Sequence, residues 1–452
     1  MNKYITILIF LSTLNLVGCK DYLDAKPDKK LAVPNKISDL WALLDNYAIM
    51  NRASPVAGED YTDNYYLTET SLNAITNINT RNNYTWDDKG ERMGDWSNPY
   101  RAIFYANVVL DELENVRKND PSEQDDLKAV QGSALFFRSF LFYEVAQIFA
   151  PQYAKDNLLL PCIPLRLSSD PNELSVRSTV QEAYDRIVND LKSASALLPG
   201  TSSPKNRPTK AAAFGLLGRI YLNMGDYQNA ALYADSCLSI YRTLIDYNLL
   251  SKTAAVPLAR FNDEVIFASR SYTESGLLAP SRCKIDTILY NSYAENDLRK
   301  VILFKKNTDG SYTVKGSYDG SYAGAFFNGI ATDEQYLILA ECYARMGLTE
   351  KATSSLNTLL SKRITTAGFV PKHFTSDTEA LEDVLKERRK ELIVRGLRWS
   401  DIRRLNSEAR YSPILKRKLG NKIFELLAND KRYVTLIPTK IIQSSQLTQN
   451  ER

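Results

Sequence analysis

One stretch of this chain is written twice. Leu217-Gly-Arg-Ile-Tyr221-Leu-Asn-Met224-Gly225-Asp-Tyr-Gln-Asn-Ala230 can be laid over Leu339-Ala-Glu-Cys-Tyr343-Ala-Arg-Met346-Gly347-Leu-Thr-Glu-Lys-Ala352, with Leu, Tyr, Met, Gly and Ala at identical offsets. In each copy an apolar helix stops at the glycine, which can enter the left-handed region without a Cβ clash. A second helix begins around the alanine, which is small enough to let the pair approach closely. One such hairpin cannot bury its apolar face alone, so hairpins of this kind stack on one another. A mostly α protein built from stacked helical hairpins is therefore expected.

More helices follow from periodicity. Tyr100 to Arg117 places Ile103, Phe104, Asn107, Val108, Leu110 and Leu113 on one broad face. Leu127 to Phe149 continues with Leu135, Phe136, Arg138, Ser139, Phe142, Tyr143 and Ala146, and stops before Pro151. Arg138 inside that apolar run is expected to be an internal staple to a carboxylate or to backbone carbonyls. Thr179 to Leu198 starts from an N-cap at Ser178 or Thr179 and ends at Pro199-Gly200. Tetratricopeptide-like (TPR-like) pairs are thus predicted over roughly 95–240 and 331–362. Between and before them the texture changes. Residues 250–330 and 51–98 are polar and loop-rich, with strand-like pieces such as Glu264–Ser269 and Val301–Phe304. Insertions of that length in a compact protein usually carry function.

The N-terminus reads as an export signal. Lys3 precedes an apolar run from Tyr4 to Val17, shorter than the ~20 residues that cross a ~30 Å hydrocarbon core. Leu16-Val17-Gly18-Cys19 follows, with the order apolar, small, Cys that a bacterial lipobox requires. Residues 1–18 are therefore expected to be a lipoprotein signal peptide, with Cys19 the acylated (palmitate-type) new N-terminus. Several acyl chains on one cysteine give the stable membrane attachment that a single chain does not. Lys20-Asp21-Tyr22-Leu23-Asp24 opens a polar tether.

Net charge is only +4, with no basic block of five or six residues, so nucleic acid is not expected as a partner. His373 is the only histidine and sits in a loop-like setting, Pro371-Lys372-His373-Phe374, which removes His-rich metal sites and HExxH chemistry. No cofactor and no metal is expected. Cys162, Cys237, Cys283 and Cys342 are far apart, show no CxxC spacing, and read as buried free thiols.

A series of short blocks, in order along nearly the whole mature chain, resembles the SusD/RagB family. After Cys19 come Tyr22-Leu23-Asp24, Pro27 and Asp39-Leu-Trp-Ala-Leu-Leu44; then Trp96 with Ile103 and Asn107; then Ala134-Leu-Phe-Phe-Arg138 and Tyr143, with Ser139 where the family usually has Ala. Pro164, Arg177-Ser-Thr-Val180, Ile187, Asp190-Leu191, Leu198-Pro199 and Lys210-Ala-Ala-Ala213 follow. Glu387, Arg388-Arg389, Glu391-Leu392, Gly396, Arg398-Trp399, Asp401 and Arg403-Arg404 resemble the C-terminal signature, with Arg395 where Glu is commoner. Leu436-Ile437-Pro438, Ile441 and Gln449-Asn450 resemble the closing stretch. Helical spacing suggests ion pairs among Arg388, Arg389, Glu391, Arg398 and Asp401.

The resemblance implies a SusD-like α-α superhelix over 19–452 as a single domain: tether at 19–50, insertions at 51–98 and 250–330, signature region at 375–452. It also implies a lipid-anchored, surface-facing outer-membrane protein that caps a SusC-like TonB-dependent transporter. Such a protein would deliver an oligosaccharide, or less commonly a peptide, without catalysis. Candidate ligand contacts, chosen as polar or aromatic residues of the two insertions, are Tyr61, Asp63, Tyr65, Tyr66 and Trp86, with Tyr272, Tyr318, Tyr322 and Phe326. Tyr is used 27 times, and its ring offers sugars a flat apolar face with a polar edge. The competing readings are a TPR-type interaction scaffold and a surface glycoside hydrolase, which would need two carboxyl groups ~5–9.5 Å apart.

Overall fold

The computed structural model describes residues 34–120, 124–201, 204–272, 276–320 and 325–452. The leader with Cys19, and Tyr322, lie outside the described residues. The principal helices are α1 (Ile37–Leu44), α2 (Met93–Asn119), α3 (Gln124–Phe149), α4 (Val180–Leu197), α5 (Lys210–Met224), α6 (Tyr227–Ile240), α7 (Thr332–Arg345), α8 (Thr349–Leu360), α9 (Asp377–Glu391) and α10 (Arg398–Leu405). From α2 to α7 each packs on the next, and α7 also carries α8 and α9, so the protein is a mostly α stack of hairpins. No helix among the described residues is long and apolar enough to cross a membrane.

Both copies of the repeated stretch fold alike. The Thr209 hydroxyl accepts the Ala212 amide at 3.1 Å and starts α5, and Gly225 at φ +77° ends it. Asp226 then caps α6 by accepting the Asn229 amide at 3.0 Å. In the second copy Gly347, at φ +74°, makes the same turn between α7 and α8. The stack is continuous across a long excursion. α6 and α7 pack together although about 90 residues separate them in sequence. The Thr332 hydroxyl donates to the Thr243 carbonyl at 2.5 Å, closing the excursion where it opened.

The helices start and stop for local reasons. Thr179 and Glu182 form a reciprocal capping box at α4, with bonds of 3.2 and 2.8 Å. α2 begins at Met93, about two turns before the expected start at Tyr100, and runs through Pro99. That turn is held from outside: Asp95 accepts the Val56 and Ala57 amides at 3.0 and 2.9 Å, and Trp96 packs edge-on against Phe149. α3 is buried almost all round. Within it Arg138 grips Asp190 of α4 through Nε and Nη2 at 2.9 and 2.7 Å, and Asn107 of α2 at 3.1 Å, so one side chain ties three helices.

The two loop-rich insertions have more order than their composition suggested. Short helices occupy Ala57–Asp60, Glu69–Asn73 and Ile78–Tyr84. Two-stranded antiparallel pieces pair Arg270–Tyr272 with Ala325–Phe327, Val265–Phe267 with Ile330–Ala331, and Phe304–Lys306 with Tyr312–Val314. The insertions also pair with each other, Tyr65–Tyr66 against Lys284–Ile285. Val301 to Phe304, expected as a strand, is instead a helical turn, Arg299–Ile302, with the strand starting at Phe304. The cause is Arg299. Its amide bonds Asp297 at 3.1 Å, and its buried guanidinium is held by Asp297, Glu387 and Glu391 at 2.7, 2.5 and 2.9 Å, which winds the chain locally.

Some charged signature residues pair along one helix face, Arg404 with Asp401 at 2.9 Å and Glu387 with Lys390 at 2.7 Å, but most of their ion pairs join different elements. Arg388 of α9 meets Asp401 of α10 at 2.9 Å, and Arg398 reaches Asp63 in the first insertion at 2.7 Å. Arg363 joins Glu391 and Glu264 at 2.7 and 2.6 Å. Arg395 binds Asp333 at 2.8 Å and lies 3.7 Å above the Tyr318 ring. Cys162, Cys237, Cys283 and Cys342 are buried and unpaired, and His373 is exposed in a loop.

Candidate ligand-binding site

Residues 51–54 run beside the edge of the second insertion. Asn51 accepts the Arg270 amide at 2.9 Å and donates to the Ala268 carbonyl at 3.0 Å; Ser271 donates to the Ser54 carbonyl at 3.1 Å. Asp95 pins Val56 and Ala57 to the first turns of α2. These ties bring three segments together around a cavity of about 300 Å³. The turn after the short helix Tyr47–Met50 contributes Arg52, Ala53 and Ser54; the exposed side of α2 contributes Asn98 and Arg101; and the end of strand Arg270–Tyr272 contributes Tyr272.

The chemistry of this lining is distinctive. The Arg52 guanidinium lies 3.7 Å from the centre of the half-buried Tyr272 ring, so cation and ring form one flat platform. The side chains of Asn98 and Arg101, one helical turn apart, make no hydrogen bond or ion pair to the described residues. The buried Ser54 hydroxyl has no partner either. The carboxylate of the lining, Asp95, has its two oxygens on backbone amides. Beneath it Asp60 is sealed from solvent and ion-paired with Arg92; burial lifts its carboxyl to about 6, against the pull of that guanidinium. The lining thus combines an aromatic face, a planar amide and two guanidinium forks, all available to a ligand.

A larger cavity of about 580 Å³ lies at the C-terminal end of α3; its two guanidiniums are spent, while the Gln152 side-chain carbonyl oxygen and the Tyr433 hydroxyl keep no partner. Arg403 donates to the Gln147 and Ala150 carbonyls at the end of α3, and Arg177 to those of Pro161, Cys162 and Thr448. These bonds seal the C-terminal tail against the helix end. The smaller cavity is the stronger candidate because two arginines, Arg52 and Arg101, face it without an ion pair to the described residues, one of them flat on an aromatic ring.

The structure divides the sequence candidates sharply. Tyr272 lines the cavity. Tyr66 is half-buried on the strand paired with Lys284, away from it. Tyr61, Tyr65, Trp86, Tyr318 and Phe326 are all under a tenth exposed and packed into cores. Tyr61 lies against Trp399 at 4.9 Å, and burial pushes its phenol up to about 12. Tyr65 donates to the Asp60 carbonyl at 2.9 Å, Trp86 to that of Tyr61 at 3.2 Å, and Tyr318 to the Glu264 carboxylate at 2.6 Å. Phe326 sits in the strand opposite Ser271. Asp63 takes a two-pronged bond from Arg398 at 2.7 and 2.8 Å, with Arg389 at 3.3 Å. Burial raises its pKa, but the two guanidiniums outweigh that and hold it well below the usual carboxylate range. These rings and this carboxylate fasten the insertions to the scaffold. Arg52, Asn98 and Arg101 were not singled out from the sequence. Their signal was there in Asn98 and Arg101, polar residues at i and i+3 on a helix that leaves a loop-rich insertion.

Comparison with known proteins gives a consistent picture. A SusD-like family model described as "Starch-binding associating with outer membrane" matches residues 21–222, and a model of the SusD family matches residues 289–440. A SusD-like protein P2 of Formosa agariphila is 31% identical over 245 residues, covering 51% of this chain and 45% of the relative. A SusD-like protein of Bacteroides ovatus is 24% identical over 229 residues, 50% of this chain and 39% of that one. The matches therefore span less than half the length of these curated relatives. Among solved structures, a SusD superfamily protein of Bacteroides thetaiotaomicron superposes with a TM-score of 0.74 at 22% identity, covering 92% of this chain and all of the other. One from Bacteroides vulgatus, described as a putative sugar binding protein, gives 0.75 at 23% identity over 92% of this chain and 99% of the other. At these identities the likeness establishes the fold.

Proposed function

Since the chain belongs to the SusD/RagB family, we propose that it is a nutrient-binding lipoprotein that captures an oligomeric glycan at the Arg52–Tyr272 cavity. It hands that glycan to a SusC-like TonB-dependent transporter of the outer membrane. The observation that carries the reading is the unspent hydrogen-bonding capacity beside an aromatic platform, on elements held rigidly by the stack. A sugar offers a C–H face to stack on and ring hydroxyls that planar amides and guanidiniums bind in pairs. A protein of the same fold, at a TM-score of 0.67 and 18% identity, is described as a laminarin-binding SusD-like protein, which supports a glycan as the class. Capture without catalysis is supported by Asp95: a carboxylate with both oxygens on backbone amides is a poor proton donor or nucleophile. Acylation at Cys19 would supply the membrane attachment.

The test is retardation of the mature protein in native gels containing soluble glycans. At least one glycan should retard the wild type, and Asn98→Ala or Tyr272→Ala should abolish the effect without changing the thermal midpoint. If no glycan in a broad panel binds, or if both variants bind as the wild type does, the cavity assignment is wrong.

A further inference from the structure

We infer that the glycan taken by this cavity is anionic, carrying uronate carboxylates or sulfate esters, an inference that rests on the glycan-binding reading above. The reason is an imbalance between donors and acceptors. Sugar hydroxyls both give and take hydrogen bonds, so a cavity for a neutral glycan needs acceptors as well as donors. Here the donors are abundant: each of Arg52 and Arg101 offers five N–H groups, Asn98 an amide NH2 and Ser54 a hydroxyl without a partner. The side-chain acceptors are fewer and, apart from one carboxylate, neutral: the Asn98 carbonyl oxygen and the Ser54 and Tyr272 hydroxyls. Among the described lining residues Asp95 is the carboxylate, and both its oxygens are on the Val56 and Ala57 amides. The Asp60 carboxylate next to the site is sealed from solvent and paired with Arg92.

The charge balance points the same way. Several buried arginines of this protein are matched to carboxylates, Arg138 to Asp190, Arg219 to Glu334, Arg299 to Asp297 and Arg363 to Glu264, while Arg403 and Arg417 are spent on backbone carbonyls. Arg52 and Arg101, facing one cavity of about 300 Å³, have no such partner among the described residues. Arg52 is also preset, because its guanidinium is held flat on Tyr272 and loses little freedom on binding. A ligand group that only accepts, is negatively charged and presents two oxygens in a plane complements two guanidinium forks. Carboxylates and sulfate esters both have that character.

The experiment uses matched pairs on the mature protein, read by calorimetry. One pair is a set of uronic-acid oligosaccharides and the same oligomers after carboxyl reduction. The other is a set of sulfated oligosaccharides and their desulfated forms. At least one anionic member should bind tenfold or more tightly than its neutral counterpart, and its affinity should fall as salt rises. Arg101→Gln and Arg52→Gln, both at exposed positions, should each remove most of that preference while leaving the thermal midpoint unchanged. The pair that responds tells carboxylate from sulfate. Equal or tighter binding of the neutral members overturns the anionic assignment and leaves glycan capture standing. Binding of no member of either pair, when other neutral glycans retard the protein in gels, overturns it likewise. Binding of no glycan at all overturns the receptor reading and this inference with it.

Discussion

Trp86 and Tyr272 are both aromatic residues of the loop-rich segments, and nothing in their local sequence tells them apart. Trp86 is 4% exposed, with its indole N–H on the Tyr61 carbonyl and Arg417 4.9 Å from its ring; Tyr272 is half-buried at a cavity rim. Trp86→Ala should therefore cost ~3–5 kcal/mol in urea unfolding. Tyr272→Ala should stay within about 1 kcal/mol of wild type and lose ligand instead. Glu59 offers a second test at this scale. One of its oxygens accepts the Gly396 amide at 2.9 Å, the other is buried without a partner, and burial lifts its carboxyl to about 7. The folded protein then holds a proton that the unfolded chain gives up at an ordinary carboxylate pKa. This group's contribution is complete below that ordinary value and is lost as pH rises to about 7. Glu59→Gln should raise the thermal midpoint at pH 8, by up to the order of 3 kcal/mol in stability. At pH 4 it should leave the midpoint nearly unchanged. A wild-type midpoint that does not fall relative to the variant across this range would show that Glu59 is solvated.

At the scale of elements, the repeated hairpins were the most legible part of the molecule, because a helix, a left-handed turn and a second helix are specified by neighbours in sequence. Gly225 and Gly347 meet no backbone within 4 Å of an added Cβ, so Gly→Ala at either should cost only the left-handed conformation, about 1 kcal/mol. Gly218, inside α5, differs: a Cβ there would lie 3.2 Å from the Ala234 amide nitrogen of α6, so Gly218→Ala should cost more by pushing the helices apart. Equal losses at Gly218 and Gly225 in urea unfolding would contradict this division. Helix starts were legible where the cap is local, as at Thr179. They were not where the cap comes from afar. Pro99 reads as a boundary, and only Val56 and Ala57, some 40 residues back, explain why α2 begins before it. The turn at Arg299–Ile302 was missed for the same reason, since Glu387 and Glu391 that fix it lie far along the chain.

At the scale of the whole molecule, the insertions are joined to the stack by buried charge as well as by apolar packing. Arg363, fully buried at the end of the α7–α8 hairpin, binds Glu391 of the signature region and Glu264 of the excursion. Arg363→Met should cost ~3–5 kcal/mol, because it strips the buried Glu264 of its guanidinium and leaves Glu391 with Arg299 alone. Adding Glu264→Gln should recover part of that loss; a double variant no better than the single would place the cost in packing. Attachment to the membrane belongs to this scale too. Cys19→Ala should move the protein from the membrane fraction to the soluble one, and retention at high salt would exclude acylation as the anchor. The family and the helical stack could be read from the chain, but the site could not. Arg52, Asn98, Arg101 and Tyr272 come from segments up to 220 residues apart, and only the pairing of residues 51–54 with 268–271 makes them neighbours.

The excursion between Thr243 and Thr332 leaves and rejoins the stack through a hydrogen-bonded gate, and inheritance can exploit that. Closing a loop costs only ~0.6 kcal/mol more for each doubling of its length, so insertions and deletions inside the gate are cheap for the fold. A lineage that keeps Glu264 and Arg299 as moorings can rewrite what lies between them by mutation and recombination, Tyr272 included, without renegotiating the helices. New surfaces can then evolve on an old frame.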